Sequence, residues 1–301
     1  MFNCPHERND AGMLGSTLFG IMNLHTILTA TDSRISAYKN LRERTLRGES
    51  IFIAEGELLV KRLASSEYDV ESILVAERFL PRIENVLSPE IPVYVVNETL
   101  IGEIAGYPFY QGILAVGRRR PLPNLYECTK LLGEGGDEKK VGQGRVGKIL
   151  VVLPHVTKPD NLGLIFRSSA ALAATAVILG EQCCDPFSRR ALRVSMGGVL
   201  QVPIIRSDNL FDDLEILRDC FGFERWGTVL DTAAESLPTV TSEKNGVRKI
   251  ALIFGNEYSG LEEPWVSRCD RKVVIPMSPE VDSLNLGVAV GIFLYELSNH
   301  R

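Results

Sequence analysis

Three stretches set polar, charge-bearing side chains directly after an apolar run, and a fourth gathers arginines. Lys158-Pro159-Asp160-Asn161-Leu162-Gly163-Leu164-Ile165-Phe166-Arg167-Ser168-Ser169-Ala170 follows the run at 149–153 and reads as a turn entering a helix capped by Asp160 or Asn161. Gly255-Asn256-Glu257-Tyr258-Ser259-Gly260-Leu261 follows the run at 250–254, with glycines where a tight turn needs unusual dihedrals. In 272–297, Val273, Val274 and Ile275 make a buried strand that Pro276 ends, since proline has no N–H for a ladder. The loop 277–282 then leads to a helix capped by Ser283 or Asp282, with Leu284, Val288, Ile292 and Tyr295 recurring at helical spacing. Gly287, Ala289 and Gly291 are small for a helix interior, which predicts another backbone packed very close to that helix. Polar turns at the carboxyl ends of strands are where α/β proteins hold nucleotide-like ligands. In 184–198, Arg189, Arg190 and Arg193 fall on adjacent helical positions and offer three guanidinium forks to phosphates.

The elements around these turns alternate between short strands and helices. From 149 onward, the continuous apolar run 149–153 is typical of a parallel sheet covered on both faces, and further strands are read at 176–179, 202–205, 225–230 and 250–254. Upstream, Ile35, Tyr38, Leu41 and Leu46 lie on one side of a helical pattern, with Arg34, Lys39, Arg42, Arg44 and Arg47 on the others, leaving a basic surface. Strands at 51–54, 70–75, 93–96 and 112–116 with helices at 57–63 and 99–105 predict a compact α/β/α domain. The expected organisation is a flexible N-terminal extension over 1–30, a first domain over 31–120, a linker over 121–148 and a second domain over 149–301. The linker reading rests on the GEGGDEKK composition, which buries too little apolar surface to order itself.

A length of 301 residues accommodates two cores, and 45% hydrophobic with 24% charged residues is an ordinary globular balance. The net charge of -5 gives no overall attraction for nucleic acid, so any phosphate contact depends on local arginines. The six cysteines form no CxxC or metal-ligand spacing, and adjacent Cys183 and Cys184 are poorly placed for a disulfide, so reduced thiols in the cytoplasm are expected. No run approaches the roughly 18 apolar residues of a membrane span. No GxGxxG follows the strand at 149–153, which argues against a Rossmann-type site. No metal is expected.

IPM followed by SLNLGVAV resembles the third motif of the SpoU/TrmH family of RNA ribose 2'-O-methyltransferases, within the SPOUT superfamily; PDNLGLIFRSSA resembles the first motif and 250–261 the second. FIAEGELLV, VYVV and YPFYQGILAV are similar to the substrate domain often placed ahead of that fold, itself similar to a ribosomal protein. Tyr258 stands where relatives carry glycine. The resemblance implies an α/β trefoil-knot domain with a parallel sheet that holds S-adenosylmethionine, preceded by a small α/β/α RNA-binding domain. It implies methyl transfer to a ribose 2'-hydroxyl of structured RNA, ribosomal rather than transfer RNA, by a homodimer joined through the knot domain. Carried over residue by residue, it makes Arg167, Asn161, Glu257, Ser283 and Asn285 catalytic. Thr228, Leu230, Gly255, Asn256, Ile275, Met277 and Leu284 become cofactor-binding, and Arg42, Arg189, Arg190 and Arg193 RNA-binding. A transfer RNA methyltransferase and a non-catalytic RNA-binding module of the same fold are the competing readings.

Overall fold

Valine, isoleucine and alanine crowd the strands of both halves, and the two sheets differ in how many faces those residues must cover. The computed structural model describes residues 23–41, 46, 48–86, 88–133, 146–242, 248–278 and 280–299. In the first half, β1 (Asn23–Thr26), β2 (Ile51–Glu55), β3 (Val70–Ala76), β4 (Pro92–Val96) and β5 (Ile113–Arg118) form a mixed sheet in the order β1-β4-β3-β5-β2. Here β4 is parallel to β1 and β3, while β5 is antiparallel to β3 and β2. Helices α1 (Glu57–Ala64) and α2 (Glu98–Ala105) bury Leu59, Val60, Leu63 and Leu100, Ile101, Ile104. Asn97 caps α2 by accepting from the Leu100 amide at 2.8 Å, and Gly106 ends it in the left-handed region.

Two expectations for this half are corrected. The extension over 1–30 gives up its last part to the sheet: Asn23–Thr26 pairs with β4 and Ile27 is buried, because an apolar residue beside an open sheet edge gains by covering it. Among the described residues the helical pattern after 31 is a short 3-10 segment, Ser33–Tyr38, although Ile35, Tyr38, Leu41 and Leu46 are all buried as the spacing predicts. Arg42, with Arg44 and Arg47, lies outside the described residues.

The second half holds β6 (Val146–Leu153), β7 (Ala176–Leu179), β8 (Ile204–Arg206), β9 (Phe223–Thr228), β10 (Glu235–Ser236), β11 (Arg248–Ile253) and β12 (Arg271–Val274). They form one parallel sheet ordered β10-β12-β9-β11-β6-β7-β8. Its helices are α4 (Pro159–Ala171), α5 (Arg189–Val194), α6 (Leu210–Asp219), α7 (Leu237–Thr241), α8 (Glu263–Val266) and α9 (Leu286–Ser298), preceded by the short α3 (Thr129–Gly133) of the connecting segment. That segment is not a free linker throughout. Leu125 and Leu132 are buried against Leu150, Val152, Ala176 and Ile178, so it covers one face of the sheet before β6 begins.

The pairing of α4 with α9 decides where the functional side chains point. A Cβ on Gly287 would sit 2.5 Å from Leu164 Cβ, and one on Gly291 would be 3.4 Å from Ser168 Oγ, so the small residues are there to admit α4. The apolar positions predicted to anchor α9 are corrected: Val288, Ile292 and Tyr295 are exposed, while Val290, Phe293, Leu294 and Leu297 are the buried face. The expected caps move as well. Asn285, not Ser283 or Asp282, caps α9, accepting from the Gly287 and Val288 amides at 2.9 and 3.4 Å. Pro159 opens α4 behind Lys158 without a side-chain cap, and Asn161 is turned inward and buried.

Candidate active site

Because β11, β9 and β12 run parallel and side by side, their C-terminal loops converge on one place. Thr228, Val229 and Leu230 at the end of β9, residues 255–258, 260 and 261 after β11 and Ile275, Met277, Ser283 and Leu284 after β12 surround a cavity of about 430 Å³. Asn161 from α4 and Asn285 at the start of α9 complete the wall. All seven residues expected to bind a cofactor line it, as do Asn161, Glu257, Ser283 and Asn285. Lys158, Phe254, Ala289 and Phe293 also line it; Lys158 heads the first polar stretch and Ala289 is small for a helix interior, while the two phenylalanines read only as core.

The loop after β11 is held by its own polar groups. Asn256 and Gly260 exchange backbone hydrogen bonds of 3.0 and 3.2 Å. Asn256 Oδ1 accepts from the Tyr258 and Ser259 amides at 2.8 Å each, and its Nδ2 donates to Ser259 Oγ at 2.7 Å. Gly255 permits this closure: a Cβ there would lie 1.9 Å from the carbonyl carbon of Gly260, closer than any side chain tolerates. Tyr258 turns its ring to solvent under the Lys158 ammonium, 4.6 Å from the ring centre, so the larger residue leaves the turn closed.

A polar relay crosses the cavity wall. Asn285 Nδ2 donates to Asn161 Oδ1 at 2.9 Å, and Asn161 Nδ2 donates to Glu257 Oε1 at 2.7 Å. Since Asn285 Oδ1 is used as the helix cap, both asparagines are fixed in orientation. Glu257 Oε2 is buried and has no hydrogen-bond partner among the described residues. A desolvated carboxylate oxygen without a donor is costly, so the arrangement calls for a ligand that supplies one.

The four arginines fare differently. Arg167 does not line the cavity. It lies six residues along α4 from Asn161, is exposed beside the close approach of α4 to Gly198, and has no hydrogen bond or ion pair among the described residues. Arg190 pairs with Asp160 at 2.8 Å, and its hydrogen bond holds the Asp160 carboxyl below the usual carboxylate range. Both partners are about half exposed, so a phosphate can compete for that guanidinium. Arg193 is exposed, 3.9 Å from Glu55. Arg189 is committed elsewhere: it donates to Glu55 Oε1, to the Leu41 carbonyl and, at 2.7 Å, to Tyr107 Oη, all on the first domain. With its fork occupied by protein acceptors it is a clamp between domains, and the phosphate role expected for it is corrected. Arg119 makes the reciprocal clamp on Asp185, at 2.7 and 2.9 Å.

Residues 148–295 match the SpoU rRNA Methylase family, and residues 32–115 match the MRM3-like substrate binding domain. The uncharacterized tRNA/rRNA methyltransferase Rv0881 of Mycobacterium tuberculosis is 30% identical over 281 residues, covering 91% of this chain and 92% of that protein. The chain belongs to the SpoU rRNA methylase family. Among SpoU relatives, the 23S rRNA (guanosine-2'-O-)-methyltransferase RlmB of Acinetobacter baylyi is 33% identical over 70% of this chain and 79% of its own length. An AdoMet-bound rRNA methyltransferase from Sinorhizobium meliloti superposes with a TM-score of 0.72 at 25% identity, covering 92% of this chain and 98% of that one. The fold class read from the sequence, a SPOUT domain behind a separate small domain, is therefore that of SpoU proteins of known structure. Within this SpoU chain the cavity suits the AdoMet of that relative: it is ringed by backbone-rich loops, one of which only glycine can close, and it presents an unsatisfied acceptor.

Proposed function

We propose that the protein transfers a methyl group from S-adenosylmethionine to a ribose 2'-hydroxyl of ribosomal RNA. The observation that carries this reading is the relay Asn285–Asn161–Glu257, ending in a buried carboxylate oxygen with no partner among the described residues, on the wall of a cavity built by three strand-end loops. S-adenosylmethionine supplies an electrophilic methyl group on a sulfonium. Thr228, Leu230, Gly255, Asn256, Ile275, Met277 and Leu284 hold it, largely through the backbone of their loops. Asn161 pins one oxygen of Glu257, which leaves the other as an oriented acceptor for a donor on the bound substrates. Ser283 and Asn285 fix the loop that enters α9. The guanidinium of Arg167 is a planar fork of N–H donors with no acceptor, so it stabilises an RNA phosphate or the developing alkoxide and does not take the proton.

The substrate domain and the half-exposed Arg190 and Arg193 give the RNA its docking surface. Val288, Ile292 and Tyr295, exposed together on α9, make the surface through which a second copy joins, beside the α4 segment that carries Arg167. The compartment this reading expects is the cytoplasm, which a bacterial ribosomal RNA substrate supports. No described helix is long and apolar enough to cross a membrane.

The test is calorimetric titration with S-adenosylmethionine of the native protein and of Gly255→Trp, paired with 2'-O-methyl mapping of ribosomal and transfer RNA from a deletion strain. Binding by the native protein alone, and loss of one mark from ribosomal RNA, is the expected result. A lost transfer RNA mark would transfer the activity to that substrate. No cofactor binding with or without RNA would favour a non-catalytic RNA-binding protein.

A further inference from the structure

Away from the methyl-transfer cavity, a hollow of about 380 Å³ opens where the substrate domain meets α5, and its lining has a different chemistry. Its floor is Phe79, whose ring lies 4.7 and 4.9 Å from the guanidinium carbons of Arg78 and Arg82. Two glycines in the left-handed region shape it. A Cβ on Gly112 (φ 67°) would meet the Phe79 ring at 2.1 Å, and one on Gly56 (φ 89°) would meet the Gln111 side chain at 2.5 Å.

Between those glycines the chain presents Tyr110, 81% exposed, with no hydrogen bond or ring contact among the described residues. The Gln111 amide beside it is likewise exposed and without a hydrogen bond among the described residues. The opposite wall is Met196 and Arg193. Met196 is held at φ 52°, a conformation non-glycine residues avoid, and its carbonyl accepts from Arg62. Two acids line it: Glu57, paired with Lys61 at 2.8 Å and Arg82 at 3.3 Å, and Glu55, which is held by Arg189 and lies 3.9 Å from Arg193. Arg82 and Arg193 are both about half exposed, so a phosphate can take up either guanidinium.

A bare tyrosine ring beside a free amide, rimmed by arginines, is the combination that holds an unstacked base: a platform for its face, a donor and acceptor for its edge, and charge for its phosphates. We propose that this hollow takes one unstacked nucleotide of the RNA substrate, with its base on Tyr110, its edge toward Gln111 and its phosphates toward Arg82 and Arg193. The proposal rests on the RNA reading above and goes further by naming the surface that selects the target. Helix α5, which carries Arg193, packs so tightly on α4 that a Cβ on Gly163 would lie 2.7 Å from Val194 Cβ. The hollow is therefore one helix away from the element bearing Asn161 and Arg167, and a nucleotide held there flanks the one that is methylated.

The test is filter binding of in vitro transcribed large-subunit ribosomal RNA to the full chain as wild type, Tyr110→Ala and Tyr110→Phe. A S-adenosylmethionine titration of each variant serves as the check on folding. Tyr110→Ala should weaken RNA binding about tenfold and raise KM for RNA with kcat unchanged, as loss of one base stack does. Tyr110→Phe should stay within about twofold of wild type, because the ring and not the hydroxyl carries the contact. All three should bind S-adenosylmethionine equally. Wild-type affinity in Tyr110→Ala, or a loss in Tyr110→Phe equal to that in Tyr110→Ala, would overturn the nucleotide site and leave the methyltransferase reading standing. A wild-type protein that binds S-adenosylmethionine but no RNA would overturn both.

Discussion

Two polar networks tie together parts of this chain that are far apart in sequence, and they end differently. At the domain seam, Arg189 reaches Glu55, Tyr107 and the Leu41 carbonyl, and every group has a partner. In the cofactor cavity, Asn285, Asn161 and Glu257 form a chain that stops at an oxygen with no partner among the described residues. A closed network of buried charges fixes geometry; an open one stores a binding valence. The contrast sets apart Arg189, one of the three arginines expected to hold phosphates and here held by protein acceptors, from Arg167, which is exposed and has no partner among the described residues, as the role proposed for it requires.

Breaking the closed network should have the largest effect. Arg189→Ala takes from Glu55, whose side chain is 3% exposed, its nearest cation and leaves it only the Tyr107 hydroxyl at 3.3 Å and Arg193 at 3.9 Å; losing one partner of a buried pair costs about 3–5 kcal/mol. The melting temperature should fall by roughly 10 °C while S-adenosylmethionine affinity at low temperature is kept; a shift under about 2 °C would show that the clamp is dispensable. Next, Arg167→Ala should lower kcat by about 10²–10³, as loss of one preorganised donor does, with cofactor affinity unchanged. Arg167→Lys should not restore the rate, since lysine lacks the planar fork. An equal loss of cofactor affinity would contradict the division of roles between Arg167 and the loops.

A smaller effect is expected from Glu257→Gln, about 10–100-fold in kcat/KM, reflecting a hydrogen bond to a charged acceptor worth roughly 1.5–3 kcal/mol. Its melting temperature should hold or rise, because a buried charge with a free oxygen is removed; a large fall would make Glu257 a structural residue like Glu55. The smallest effect is at high pH. Burial, and then the neighbouring Glu55 charge, push the Tyr107 hydroxyl from 10.0 up to about 12. A folded pKa above the unfolded one means its contribution to stability is complete below pH 10 and is lost as pH rises through about 12. Denaturant midpoints measured from pH 9 to 12 should fall more steeply for wild type than for Tyr107→Phe.

Much of this was legible in the residues. Apolar runs located the strands, and the polar turns behind them supplied the residues that line the cavity, because position at a strand's carboxyl end is itself a sequence property. Helix faces were less legible. On α9, Val288, Ile292 and Tyr295 keep helical spacing as well as Val290, Phe293, Leu294 and Leu297 do, and periodicity cannot say which apolar stripe faces the chain's own core. The roles of Asn285 as cap and Arg189 as clamp depend on partners far away in sequence, and spacing carries no trace of those. The strand at Asn23–Thr26 was hidden for the same reason, since among the described residues the strand it pairs with is β4, far along the chain.

The bond from Asn285 to Asn161 spans 124 residues, and α9 must lie down on α4 before the cavity has its second wall. A chain still emerging from a ribosome therefore acquires its substrate domain, whose sheet closes by Arg118, well before it can modify anything. Competence arrives only when residues 286–298 are in place, so a product cut short ahead of them has the first sheet complete but lacks both the cavity's second wall and the α9 side chains that fill the core of the second half.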